Sequence, residues 1–238
     1  MMPTAMIMCA GKGTRMMPLT ADRPKPLVKV GDVTLLDHVL DHVRAAGISD
    51  IVVNVHYLAD QIEVHLADHV SDLSVRISDE RDLLRDTGGG LIKALPLITS
   101  DPFLCINADN WWTDEGELAL ARMAGAWDDA AMDVLMLVIP HALAGNSQGK
   151  GDFEMAGEKD DAGRLFRRIP GTTAPFVWTG IQMLSKRLII DPPAPVFSTN
   201  IFWDRAIATG RCFGLVHHGR WFDVGYPQAI DATLAAIE

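Results

Sequence analysis

The fold turns on the stretch Met8-Cys9-Ala10-Gly11-Lys12-Gly13-Thr14-Arg15-Met16-Met17-Pro18-Leu19-Thr20-Ala21-Asp22-Arg23-Pro24-Lys25-Pro26. It follows a short apolar run, Ala5-Met6-Ile7-Met8-Cys9, of the kind that forms a buried strand in a parallel sheet. Two glycines flank a lysine, an arginine follows, and a second lysine stands between prolines. Small residues let a backbone approach a ligand closely, and the cations suit a polyphosphate. Two widespread phosphate signatures fail here. A Walker A loop needs Ser or Thr after Gly-Lys, and Gly11-Lys12 is followed by Gly13. A dinucleotide fingerprint needs a third glycine where this chain has Met16.

With 238 residues and 48% hydrophobic content, the chain can bury the core of one large α/β domain. A net charge of −10 argues against a nucleic-acid surface. It does not oppose nucleotide binding, because local cations and a divalent metal can hold phosphates. Cys9, Cys105 and Cys212 lie far apart in apolar runs without C-x-x-C spacing, so buried reduced thiols are expected. No stretch approaches the roughly 20 apolar residues that span a bilayer. A soluble, cytoplasmic protein is the expectation.

Along the chain, Thr34 is placed to cap a helix that Gly47 ends, and Asp50 to His56 reads as a strand. A helix from Leu58 to Val70 and a strand from Leu73 to Ile77 continue the alternation. Thr87-Gly88-Gly89-Gly90 precedes a helix expected from Leu91 to about Leu97. Three glycines there cost stability, so either a base or ribose lies against bare backbone or the turn is tight. The strand Phe103 to Asn107 delivers Asp109 to the sheet edge where open α/β folds place ligands. A helix from Glu115 to Ala126, a strand from Met132 to Ile139 and a loop from Pro140 to Lys150 are expected next. Shorter strands then follow, the longest from Phe176 to Leu184, with a helix from Ser198 and a final one after Pro227. No linker separates the halves. The expectation is a single Rossmann-like domain with a mostly parallel central sheet flanked by helices, a nucleotide-binding part over about 1–130 and a mixed β-rich part over about 131–238.

Some features read as structural. His38 and His42, like His65 and His69, stand one helical turn apart without a metal-site pattern, so solvated helix faces are expected. His217-His218 could approach phosphate or merely fold into the loop. The tryptophans, Trp111-Trp112 included, suit core or sugar platform equally.

The pattern A-G-x-G-x-R-x-x-P-L-T, here Ala10 to Thr20, followed by Pro24-Lys25-Pro26, resembles the signature loop of the sugar-1-phosphate nucleotidyltransferases. Trp221-Phe222-Asp223-Val224-Gly225-Tyr226-Pro227 resembles that family's second metal-binding element. The resemblance implies transfer of a nucleotidyl group from a nucleoside triphosphate to a sugar-1-phosphate, with Mg²⁺ and release of pyrophosphate. It assigns Arg15 and Lys25 to catalysis. The loop at Ala10, Gly11 and Gly13 would cradle phosphates, Thr87 and Gly88 would lie against the base, and Asp109 and Asp223 would share the metal. Ala108 and Asn110 depart from the family's usual neighbours of the first aspartate. The run Thr87 to Pro96 and the triplet Gly151-Asp152-Phe153 resemble the short bacterial N-acetylmuramate-1-phosphate uridylyltransferases of cell-wall recycling. That likeness implies UTP and N-acetylmuramate-1-phosphate as substrates, with Asp152 and Gly180 contacting the sugar. Guanylyl transfer to mannose-1-phosphate, thymidylyl transfer to glucose-1-phosphate and a non-catalytic nucleotide-sugar sensor remain alternatives. Neither nucleic acid nor membrane is expected as a partner. The chain ends soon after the second element, so the left-handed β-helix and acyltransferase activity of some relatives are not expected.

Overall fold

Strands and crossover helices do alternate in the computed structural model of the chain, which describes residues 2–159 and 161–237. Strand β1 (Ala5–Met8) runs through the glycine loop into a hairpin of β2 (Lys29–Val30) and β3 (Val33–Thr34). Helix α1 (Leu35–Ala45), β4 (Asp50–Val55), α2 (Ala59–His69) and β5 (Ser74–Asp79) follow. Next come α3 (Asp86–Ala94), β6 (Phe103–Asn107), β7 (Asn110–Trp112) and α4 (Ala119–Ala126). The second half holds β8 (Val134–Pro140), β9 (Ala144–Gly145), β10 (Phe153–Lys159), β11 (Ala162–Arg167) and β12 (Phe176–Leu184). It closes with α5 (Asn200–Ala208), β13 (Cys212–Val216), β14 (Trp221–Asp223) and α6 (Pro227–Ile237).

Nine strands form one sheet in the order β10-β11-β13-β8-β12-β6-β1-β4-β5. The run β6-β1-β4-β5 is parallel, and its register sets Met8 opposite both Asn54 and Asn107 at the carboxyl edge. β8 and β13 are also parallel, while β12 runs antiparallel between β6 and β8. One sheet therefore continues through both halves of the chain in a single domain. Successive residues of β1 serve opposite cores. Ile7 packs with Leu40 of α1, Ile62 of α2 and Met123 of α4, and Met6 packs with Leu91 of α3 and Phe202 of α5. Burial on both faces is why these strands read as unbroken apolar runs. A smaller core of Met16, Val28, Trp111, Phe222 and Val224 sits against Ile230 and Leu234 of α6.

Four expectations are corrected. Helix α3 begins at Asp86, not Leu91, so the three glycines lie inside its first turns. The Phe197 carbonyl accepts their first N–H groups, from Gly88 at 2.8 Å and Gly89 at 3.2 Å. Helix α4 begins at Ala119 rather than Glu115. Gly116 is left-handed at φ 79°, and the Asp114 carboxylate accepts the Ala119 N–H at 2.9 Å. Part of the loop from Pro140 to Lys150 is strand β9, which pairs with β14. Finally, His38 and His42 are not a solvated face. His38 is buried, stacks on Trp111 at 3.9 Å and accepts the Trp112 N–H at 3.1 Å. Burial, then the neighbouring His42, pushes its imidazole down to about 3. His42 stacks on Trp112 at 4.1 Å and pairs with Asp114 at 3.0 Å.

Trp111, Trp112 and His217 are buried, and His217 faces the Arg220 carbonyl. The three cysteines are buried free thiols, and burial pushes them up, Cys105 and Cys212 to about 12. Among the described residues no helix is long and apolar enough to cross a membrane.

Replacing a helical glycine with alanine ordinarily stabilises by about 1 kcal/mol. At Gly89 the new Cβ would strike the Pro195 carbonyl oxygen and meet the Arg85 Cβ at 3.0 Å. Gly89→Ala is therefore expected to destabilise by about 1–3 kcal/mol. Chemical denaturation reads this directly, and an unchanged or raised midpoint would contradict the packing.

Candidate active site

Where β1 ends, the Cys9 N–H donates to Asn54 Oδ1 at 2.7 Å. Asn54 Nδ2 in turn donates to Glu80 Oε1 at 2.8 Å, and Glu80 Oε2 accepts the Arg85 N–H at 3.2 Å. This buried chain ties the segments after β1 and β5 to the end of β4. A cleft of about 360 Å³ lies over it. Gly11, Lys25 and Asp109 are among the residues that line it, as are Leu84, Asp86, Thr87 and Val196.

The glycine loop is shaped from within. Gly13 is left-handed at φ 62°, and a Cβ there would lie 2.9 Å from Lys25 Cβ and 3.0 Å from Thr20 Cγ2. The Thr20 hydroxyl donates to the Gly13 carbonyl at 2.9 Å, folding the loop onto the proline-flanked lysine. Gly11, by contrast, faces open space and lines the cleft, so its bare backbone is available to a ligand.

Lys25 is nearly buried, and its Nζ donates to Asp109 Oδ2 at 2.7 Å. Strand β14 pairs antiparallel with β7, setting Asp223 opposite Asn110, and the Val224 N–H donates to the Asp109 carbonyl at 3.2 Å. The two aspartates therefore stand side by side. Burial first, and then the charge of Asp109, holds the Asp223 carboxyl above its ordinary range, while Lys25 and Arg15 pull the other way. Arg15 reaches the same point. A Cβ on Gly225 would lie 3.2 Å from one Arg15 terminal nitrogen and 2.8 Å from Asp223 Oδ1. Two cations and two carboxylates thus meet beside the cleft, where Lys25 and Asp109 line it and Arg15 and Asp223 stand behind them, outside its lining.

Among the described residues no group of three or more His, Cys, Asp or Glu side chains could hold a metal by itself. Two adjacent carboxylates, one held above its ordinary range by burial and then by the charge of the other, fit a hard cation that completes its shell with water and phosphate oxygens.

Residues 4–146 match the family model described as nucleotidyl transferase. The chain belongs to the nucleotidyl transferase family. It is 39% identical to an N-acetylmuramate alpha-1-phosphate uridylyltransferase of Caulobacter vibrioides, across 98% of this chain and 96% of that one. A protein of the same description from Neisseria meningitidis is 32% identical, across 93% and 92%. The mannose-1-phosphate guanylyltransferase catalytic subunit beta of Xenopus tropicalis is 37% identical, but across only 44% of this chain and 30% of that one. A solved UDP-glucose pyrophosphorylase from Acinetobacter baumannii shares the fold at TM-score 0.81 and 16% identity, covering 99% of this chain and 93% of that one.

In this nucleotidyltransferase, Ala10, Gly11, Lys25, Thr87 and Asp109 all line the cleft. Gly13 shapes the loop from behind. Gly88 is pressed against the Phe197 ring, so packing within the protein accounts for its missing side chain. Asp152 accepts the Trp178 N–H at 2.9 Å, holding an irregularity in β12 between Trp178 and Gln182. Gly180, left-handed at φ 83°, lies in that irregularity against the Asn110 side chain. Asn54, Glu80 and Val196 were not singled out from sequence. Asn54 was detectable as an amide inside the apolar run Ile51 to Val55, whereas Val196 carried no local signal.

A carboxyl raised on folding binds its proton more tightly in the native state. Asp223 therefore costs no stability below the ordinary carboxylate range, and its cost grows as pH rises through the raised value. Asp223→Asn should melt higher than the parent near pH 7 without divalent cations, with the gap shrinking towards pH 4. Added Mg²⁺ should raise the parent's melting temperature and leave the variant's nearly unmoved. A variant that melts lower at neutral pH would contradict this electrostatic picture.

Proposed function

We propose that this nucleotidyltransferase joins UTP to N-acetylmuramate-1-phosphate, giving UDP-N-acetylmuramate and pyrophosphate, in the cytoplasmic setting of cell-wall recycling. The observation that carries the chemistry is the Lys25–Asp109 contact at 2.7 Å in the cleft, with Arg15 and Asp223 beside it. Such a site is rich in fixed charge. Nucleotidyl transfer demands little else, because the sugar-phosphate oxygen is already anionic at neutral pH and needs no general base.

In the proposed reaction that oxygen attacks the α-phosphorus of UTP. The bond from the α-phosphorus to the bridging oxygen breaks, and pyrophosphate leaves with the electron pair. The barrier lies in bringing anions together and in the charge spread over the phosphoryl oxygens. Lys25 places an ammonium at the meeting point of nucleophile and α-phosphate, held there by its flanking prolines. Arg15 offers a planar fork to the departing phosphates. The backbone of Ala10 and Gly11 approaches the phosphates directly. Asp109 and Asp223 would hold Mg²⁺, whose charge offsets that of the phosphates when it is bound. The part over residues 1–130 would serve the nucleotide. The part over 131–238 would serve the sugar, with Asp152 and Gly180 shaping β12 beside it. The choice of uracil and N-acetylmuramate is supported by identities of 39% and 32% over nearly the whole chain to two uridylyltransferases, against 37% over less than half for one guanylyltransferase and 25% over 94% for another.

Pyrophosphate release should be measured with each of four nucleoside triphosphates against a panel of sugar-1-phosphates. Release is expected with UTP and N-acetylmuramate-1-phosphate, and release confined to GTP with mannose-1-phosphate would overturn the substrate assignment. Lys25→Ala should retain the parent's circular dichroism and lose about 10²–10³ in kcat. A loss below about threefold would remove Lys25 from the chemistry.

A further inference from the structure

Ahead of α5 the chain runs through Asp191-Pro192-Pro193-Ala194-Pro195-Val196-Phe197-Ser198-Thr199, a strap from the second half that crosses to α3 of the first. Its prolines restrict the backbone. Three main-chain bonds seat it. The Phe197 carbonyl accepts the N–H groups of Gly88 and Gly89, and the Phe197 N–H donates to the Arg85 carbonyl at 3.2 Å. The Thr199 N–H donates to Thr87 Oγ1 at 3.0 Å, and the two hydroxyls are 3.2 Å apart. The glycines of α3 make this closeness possible, since Gly88 has no room for a Cβ against the Phe197 ring, nor Gly89 against the Pro195 carbonyl oxygen. Phe197 is buried edge-on to Phe202, with ring centroids 5.4 Å apart.

Val196 does the opposite. It remains 46% exposed and lines the cleft with Leu84 and Thr87. The cleft thus passes from Gly11, Lys25 and Asp109 to a wall where the apolar Leu84 and Val196 stand beside the exposed Asp86, over the buried Asn54 and Glu80. A nucleoside triphosphate passes likewise from a charged tail to a flat base with apolar faces and polar edges.

We propose that Val196 packs on the face of the nucleobase, and that the strap, fixed by the α3 glycines, sets the width of the base pocket so that a pyrimidine is favoured over a purine. Which base is preferred rests on the uridylyl reading, whereas the contact itself does not. Val196 makes the wall, and Gly88 and Gly89 are positioning residues that hold it in place.

Calorimetric titration of the whole chain with UTP and with GTP, each with MgCl₂ and without sugar phosphate, tests both parts. Val196→Ala is expected to weaken UTP binding about five- to tenfold and to narrow the UTP-to-GTP affinity ratio. Melting curves of parent and variant, taken alongside, establish that both are folded, and half-exposed Val196 leaves no core cavity when truncated. Unchanged UTP affinity would overturn the contact. Equal weakening of both nucleotides would overturn the width selection. If the parent prefers GTP, the uridylyl reading fails, and the variant's effect on GTP still decides whether Val196 touches the base.

Discussion

The ammonium of Lys25 on the carboxylate of Asp109 is the interaction on which the site depends. Buried ion pairs contribute little net stability, because desolvation consumes most of the attraction. Here a second carboxylate makes matters worse, since Asp109 itself helps to hold Asp223 above its ordinary range. Lys25 and Arg15 offset part of that cost. A protein selected only for stability would not keep such a cluster. A protein that must receive a polyphosphate and a divalent cation has reason to, because fixed charges already in place need no reorganisation at the moment of reaction.

Holding like charges together requires a rigid frame, and several unrelated contacts supply it. The β7–β14 ladder aligns the two aspartates, and the core of Met16, Trp111, Phe222 and Val224 clamps that ladder beneath the glycine loop. From the other side, His38 and His42 stack on Trp111 and Trp112 and accept or pair with groups of the strand and of Asp114. Gly13 and Gly225 then act by omission. A side chain at Gly13 would displace Lys25, and one at Gly225 would displace Asp223 and Arg15.

Much of this was legible in the sequence, and the reason is local. Strands β1, β4 and β6 are buried on both faces, so each announces itself as an apolar run, and the loop residues Gly11, Arg15 and Lys25 lie within one contiguous motif. What was misread depends on distant partners. Glycine's poor helix propensity placed the start of α3 at Leu91, and contacts with a strap whose Thr199 is 112 residues from Thr87 override that propensity. The histidines of α1 looked solvated because their spacing says nothing of Trp112, 74 residues beyond His38. Strand β9 has only two residues and exists because β14 offers it an edge.

The same distribution explains why the chain is one domain although its two halves read so differently. Lys25, Arg15 and Asp109 come from the first half and Asp223 from the second, and a main-chain bond from Val224 to Asp109 joins them. The strap makes the reverse connection, anchoring its own backbone on the α3 of the first half. If the halves moved as separate bodies, the separation of two carboxylates would vary with that motion, and electrostatic preorganisation decays with misplacement of about 1 Å. A sheet that runs uninterrupted from β5 to β10 removes this freedom. Antiparallel β12, wedged between β6 and β8, is therefore the keystone. It welds the regular half to the irregular one at the edge where Asn107 and Gly180 lie, next to the aspartates that must not drift apart.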